Sequence, residues 1–494
     1  MQEALDVVVV GCGNAALCAA VAARQAGASV LVIERAPRSK RGGNGIFTAG
    51  LVRFAYDGID GIDELADLSE VERATLDVGS YPPEAFFDDV AQLTDYLSDP
   101  DLLWTLATQS FPTMLWLRGN GVRFIPSLGM HAYEEGGRIR FRGNAPLEIS
   151  GGGLGLVTHL VELAESLGVT VWYDARAVEL ARDGDDNGWR VGIQRPDENI
   201  VVGGKSVILA CGGFEANAAM RAQYLGPGWD LARVRGTEYN TGDGIRLARG
   251  VGAALVGHFS GCHATPTDAA TPRYGDRQVL HTFTRHSYNF GIMVNRNGTR
   301  FVDEGQDYET HTYAKFGREI LAQPGGIAYQ IFDAKGAALL REEYWTPHAT
   351  RIVGETIGEL AVKAEISGDL GATVSEFNAA VSNEEFNPAI KDGKGTVGTY
   401  PPKSNWAIPI VDPPYYAFPV VCGITFTYGG LRISTDGNVL DESERPLPGL
   451  FAAGEIIGGL FYHNYPTASG ITVGAVFGRI AGRGASAHAL DLVS

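Results

Sequence analysis

The chain is expected to adopt an α/β fold, on three grounds. Its first 35 residues read as strand, glycine turn, helix, strand; glycine-rich strings stop after Asp243 and resume at Gly454; and 494 residues exceed what one hydrophobic core usually supports. The expectation is a Rossmann-like domain built from both ends of the chain, with an α+β segment inserted between them.

Asp6–Val10 is a β-branched apolar run, GCGNAA follows, an alanine-rich stretch continues to Gln25, and GASVLVIER ends a second apolar strand on an acid. In the turn, Gly11 permits a tight bend and Gly13 lets backbone approach a pyrophosphate. Asn14, Ala15 and Ala16 open the helix, with Ala16 in the helix-packing place. Glu34 is placed to accept hydrogen bonds from a ribose. Arg35 after it does not separate NAD from FAD, but no second strand–GxGxxG–helix unit follows for a nicotinamide.

Composition narrows the class. Apolar residues make up 45% and charged residues 20%, ordinary for a globular protein, and 65 glycines indicate many tight turns and close backbone approaches. Forty basic against 58 acidic residues, net −18, exclude nucleic acid or an anionic membrane as the main partner, so an anionic substrate needs a local arginine cluster. Five cysteines, odd in number and without CxxC, indicate neither a zinc site nor a disulfide framework. The apolar stretch 7–23 follows MQEALD, with two acids and no base, and is no signal sequence; a soluble cytoplasmic protein is expected.

Four further strings fall in one order. RGGNGIFTAG carries Gly42, Gly43 and Asn44. DARAVEL carries Ala177, and SVILACGGFEAN carries Ala210, Gly212 and Gly213. NTGDGIRLA carries Thr241, Gly242 and Asp243, and GLFAAGEIIGG carries Gly454 and Glu455. In this order they resemble the flavoproteins of the fumarate reductase and succinate dehydrogenase superfamily. That resemblance implies a Rossmann-like FAD-binding domain of the glutathione-reductase type with an inserted α+β capping domain. It covers the whole chain, with limits expected at 1–257 for the first part of the FAD domain, 258–421 for the cap and 422–494 for the C-terminal part.

Within that superfamily, RFVDEGQDYETHTYAKFGREIL and GGLFYHNYPTASGITVGAVFGRIAG look most like the tricarballylate dehydrogenase branch. The fumarate reductase pattern is altered. Tyr308 stands where those enzymes have a proton-shuttling arginine, Thr425 and Phe426 replace two histidines, and Asn464–Ala468 reads NYPTA instead of NRLGG. Residues 35–50 contain no histidine, which implies non-covalent FAD.

Desaturation beside a carboxylate needs a base, a hydride acceptor and positive charge. The base candidates are Tyr308 and Tyr465, the latter in a segment that resembles the YPxxxG of ketosteroid dehydrogenases. His263 resembles the family's substrate-binding histidine, and His311 and His463 lie in the two branch-specific strings. Arg300 matches the family's RF arginine; Arg273, Arg285, Arg140 and Arg142 are further candidates for carboxylates. Ser469, Gly470 and Thr472 open a helix whose N-terminus is expected to face the flavin.

The resemblance thus implies a dehydrogenase that desaturates a small polycarboxylate of the tricarballylate-to-cis-aconitate type. It passes electrons to a separate acceptor, a membrane-bound iron–sulfur protein in that branch, which would make the chain peripheral to a membrane. The alternatives are an enoate or ketosteroid-type desaturase or reductase, and an FAD-bearing subunit without turnover of its own.

Overall fold

The computed structural model describes residues 5–129, 132–184 and 188–491, and the chain divides into two compact units. The first comprises 1–226, 236–262 and 426–494, and the second 227–235 and 263–425. Against limits expected at 258 and 421, the division falls at 263 and 425. The stretch 227–235 goes with the second unit, where Arg233–Val234 adds a parallel strand to Gly423–Ile424.

In the first unit one sheet runs in the order Asn438–Leu440, Pro446–Ala452, Asn199–Leu209, Leu5–Val10, Val30–Ile33, Thr170–Trp172. All neighbours are parallel except the edge strand Asn438–Leu440. Val7, Val8 and Val9 are wholly buried, as expected of a continuous β-branched run covered on both faces. Gly188–Gln194 and Arg176–Asp183 extend the sheet antiparallel from the outer half of Asn199–Leu209.

The helix Asn14–Gln25 leaves the first strand and is buried from Asn14 through Ala23. Its alanines let the last helix, Ser469–Asp491, meet it backbone to backbone. A Cβ on Gly478 would lie 2.5 Å from the Ala15 carbonyl oxygen, and one on Gly482 would lie 2.3 Å from that of Ala19. The four-residue spacing of Gly474, Gly478 and Gly482 puts all three on that face.

In the second unit the strand Tyr415–Thr427 is central. It pairs antiparallel with Ile327–Phe332 and Ile352–Gly354, and Ile292–Asn295 continues the sheet beyond Ile327–Phe332. Helices Ile357–Lys363 and Leu370–Ala380 give Leu360, Leu370, Val374 and Phe377 to a core with Ile292, Val294 and Ile331. The helix Glu309–Leu321 adds Phe316 against Tyr288 and Met293. Among the described residues no helix is long and apolar enough to cross a membrane.

Candidate active site

Gly11 leaves the first strand at φ 112°, where a Cβ would lie 2.4 Å from the Ala210 carbonyl oxygen; only glycine lets these neighbouring strand ends close. Helix Asn14–Gln25 starts from Gly13 with no side-chain cap and no acid in its first turn, so its N–H groups and positive dipole end suit an anion. Ala15 and Ala16 are buried in that turn. The backbone of Gly42 and Gly43 lies alongside Gly13, and Gly454 comes so near that a Cβ would sit 2.7 Å from Ala15 Cβ. Asn14 serves the packing: its Nδ2 donates to the Ile471 carbonyl at 2.8 Å, tying the first turn of the first helix to that of the last. Glu34 is buried, accepts the Ala36 N–H at 2.6 Å, and is pushed up to about 7 by that burial.

The strings chosen as cofactor motifs prove to be bonded to one another. Arg35 donates to Asp243 at 3.1 Å, to the Tyr239 carbonyl and to Thr241, while Arg176 takes both Asp243 oxygens at 2.8 Å. Burial opposes the Asp243 charge, but the two guanidiniums outweigh it and hold the carboxyl below its usual range. Ala177, next to Arg176, is buried in the sheet. Gly242 donates its N–H to the Gly213 carbonyl at 3.0 Å.

At the centre of these bonds lie two carboxyls, that of Glu215 wholly buried and that of Glu455 half-buried. Glu215 accepts from Asn44 Nδ2 at 2.7 Å and Asn240 Nδ2 at 2.6 Å, and Glu455 accepts the Thr427 N–H at 3.0 Å. The cluster is seated by two glycines: a Cβ on Gly212 would strike Asn240, and one on Gly213 would lie 2.1 Å from Thr427 Oγ1 and 2.4 Å from Glu455 Oε1. Burial and the facing Glu455 push the Glu215 carboxyl well above the usual range. Two carboxyls in such a site hold one proton between them.

The Tyr465 turn precedes the last helix. Tyr465 is buried, and its phenol oxygen accepts the Gly470 N–H at 2.5 Å. Arg53, without exposure, fixes this turn: its Nε donates to the Thr467 carbonyl at 2.9 Å and its backbone N–H to that of Ala468 at 3.1 Å. Thr472 Oγ1 donates back to the Arg53 carbonyl at 2.7 Å. Ser469 Oγ is buried with no hydrogen-bond partner among the described residues. His463 is exposed at φ 57°, its ring 4.6 Å from that of His258, whose Nδ1 accepts its N–H.

The other candidates lie in the second unit. Tyr308 precedes the helix Glu309–Leu321, its ring 5.7 Å from Trp406 and under the Lys391 ammonium. His311 pairs with Asp307 at 3.5 Å. His263 packs edge-on to Tyr313 and is brought down to about 3, chiefly by burial and then by the Arg235 charge. Arg235 acts likewise on His281, brought down to about 4, and on His286. The three rings are therefore neutral near pH 7.

Of the arginines expected to bind carboxylates, Arg285, Arg300 and Arg140 are paired with acids. Arg285 and Asp268 form a wholly buried pair at 2.8 Å, and Arg300 binds Glu304 at 2.6 Å and the carbonyls of Pro401 and Pro402. Arg140 bonds Asp77 and Glu135 at the surface, Arg142 lies over Tyr133, and Arg273 is exposed over Tyr274. Arg300→Ala would strand the buried Glu304 carboxylate and is expected to cost about 3–5 kcal/mol of folding stability in a urea titration, with little change in KM.

The profile of an FAD-binding domain family matches residues 6–473 of this architecture. A probable fumarate reductase, Ifc3, of Shewanella frigidimarina (strain NCIMB 400) is 30% identical over 496 residues, 99% of this chain and 76% of its own length. The chain belongs to the FAD-dependent fumarate reductase and succinate dehydrogenase flavoprotein superfamily. Urocanate reductase of Eggerthella lenta is 31% identical over 499 residues, covering 98% of the chain and 75% of that protein. The open conformation of a flavocytochrome c3 fumarate reductase superposes with a TM-score of 0.76 at 28% identity, over 99% of this chain and 79% of that one.

This flavoprotein is an FAD-dependent oxidoreductase acting on CH–CH bonds. Its residues fit the cofactor: a glycine cradle that a Cβ would fill, an uncapped helix N-terminus, a buried acid after the second strand and an orphaned Ser469 hydroxyl at a second helix start. Sequence reasoning passed over Glu215, Asn240, Thr427, Arg53, Arg176, Arg235, His281 and His286. An acid inside the apolar string ACGGFEAN was a signal for Glu215; Arg53 offered none.

Proposed function

We propose that this flavoprotein desaturates or reduces a CH–CH bond that adjoins a carbonyl, with Tyr465 as the group that polarises the carbonyl and moves the proton. The observation that carries this is the Tyr465 phenol held against the Gly470 N–H at the start of a 23-residue helix. A phenol fixed there, beside a positive dipole end, suits the negative charge that develops on a carbonyl oxygen.

A polycarboxylate such as tricarballylate asks for several cations, and Arg285 and Arg300 are already neutralised by Asp268 and Glu304. Bound FAD supplies two-electron hydride exchange. The N–H groups of Asn14, Ala15 and Ala16 would hold its pyrophosphate, Glu34 a ribose, and the Gly42–Gly43 and Gly454 backbones its flanks. Ser469 and Gly470 would face the ring system. Electrons come from, or go to, a separate partner; the described residues contain no group of His, Cys, Asp or Glu suited to a metal.

The test is anaerobic. The photoreduced holoenzyme is mixed in turn with cyclohexenone, an open-chain enone, fumarate and cis-aconitate, and flavin absorbance is followed; the oxidised enzyme is mixed with a ketosteroid, tricarballylate and succinate. Carbonyl compounds are expected to change the flavin's oxidation state and polycarboxylates to leave it alone. Bleaching by tricarballylate alone would overturn the reading.

A further inference from the structure

The surroundings of the Tyr465 phenol within the first unit are aromatic. The Phe461 ring lies 5.1 Å from Tyr465, at 64°, and Phe426 lies 5.8 Å from Tyr465 and 5.7 Å from Phe461. Tyr428 is 6.2 Å from both phenylalanines. Alternation along the strand explains the arrangement: Phe426 and Tyr428 share one face, while Thr427 between them turns its hydroxyl to Glu455. Phe461 and Tyr428 are 2% exposed and form the backing; Phe426 is only half-buried and keeps surface of its own.

Such a wall distinguishes between ligands. A flat or ring-shaped apolar body gains contact over a whole face, with the offset or edge-on geometries that aromatic rings favour. A carboxylate laid against it sheds water and finds no donor. Phe426 also occupies the place where the sequence resemblance puts a histidine in fumarate reductases, so at this position a polar group has given way to a ring.

We propose that Phe426, backed by Phe461 and Tyr428, seats a ring of the substrate, so that the enzyme takes cyclic carbonyl compounds in preference to open-chain ones of equal polarity. The inference rests on the Tyr465 reading, because a carbonyl hydrogen-bonded there sets which carbons meet Phe426.

The test uses two probes with the same conjugated ketone, cyclohexenone and open-chain pentenone, titrated into the oxidised holoenzyme by calorimetry and by perturbation of the flavin spectrum. Wild type is expected to bind the cyclic probe about tenfold more tightly, Phe426→Ala to lose about tenfold for that probe, and the open-chain probe to change less than about threefold. Phe426→Leu, which keeps bulk without the ring, should fall between; FAD content and Tm certify both variants as folded. Equal affinity of wild type for the two probes, or equal weakening of both by Phe426→Ala, overturns the proposal. Failure of the Tyr465 reading looks different: Tyr465→Phe would then turn over at the wild-type rate while the ring preference persists.

Discussion

Tyr465→Phe is expected to lower kcat by about 10²- to 10⁴-fold, the range that a positioned acid–base group contributes. The substitution removes one oxygen and little else. The ring still packs on Phe461 and Phe426, and Arg53 still holds the turn through Thr467 and Ala468, so FAD content and Tm should stay at wild-type values. What disappears is the hydroxyl that meets the carbonyl, together with the acceptor of the Gly470 N–H. Because the contribution belongs to the charge developing during reaction, kcat and kcat/KM should fall together and KM should move little. Turnover at the wild-type rate would remove Tyr465 from the chemistry.

Glu215→Gln is expected to flatten the fall in stability with rising pH that wild type owes to the Glu215–Glu455 pair. The sign follows from the raised carboxyl: the folded state keeps a proton on the Glu215–Glu455 pair that the unfolded chain has already released above its ordinary value of about 4.5. Stability is therefore greatest at low pH for this pair and falls, at up to about 1.4 kcal/mol per pH unit, as pH rises toward the folded value. Other groups act in other windows. Glu34, raised to about 7, contributes a similar slope that ends near that pH, whereas His263 and His281, brought down to about 3 and about 4, lose stability only on acidification below their unfolded value of about 6.5. Above about pH 7 other groups act as well: Lys403, brought down to about 8 by burial, adds stability as pH rises past that value. The pair's share is therefore the difference between wild type and variant. The glutamine amide replaces the shared proton as a donor to Glu455, with Asn44 and Asn240 still bonded, so urea midpoints of the variant should fall less with rising pH than those of wild type. Parallel profiles of the two would show that the pair does not hold a proton in the folded state.

Local order was legible in the sequence because it is written in neighbours. The β-branched run Val7–Val10, the GCGNAA turn and the alanines to Gln25 specify a strand, a bend and a helix from adjacent residues alone, and the structure has them at those positions. The fate of the charged side chains was not legible. Asp268 lies 17 positions before Arg285, and only folding makes them a sealed pair. Glu304 is four residues after Arg300, but the Pro401 and Pro402 carbonyls that complete its enclosure are about a hundred positions on. The motif residues themselves carried a double meaning: Asn44, Glu215, Asn240 and Glu455 stand in glycine-rich strings because a cofactor passes nearby, yet their side chains bond each other. Tyr465 stood out in advance because its segment resembles the YPxxxG of ketosteroid dehydrogenases.

The contact between Ala19 and Gly482 also carries a schedule. The helix bearing Ala19 is made well over 400 residues before the helix bearing Gly482, and at about 5–20 residues per second the interval is tens of seconds. Toward the end of that interval the second unit has all its strands, while the first helix still lacks the surface that covers its Ala15–Ala19 face. A chain stalled short of Gly474 would thus present one finished domain and one sticky half-domain. The nucleotide fold is in effect closed late, by a helix made only after the second unit, and quality control acting before then would meet a domain still without its cover.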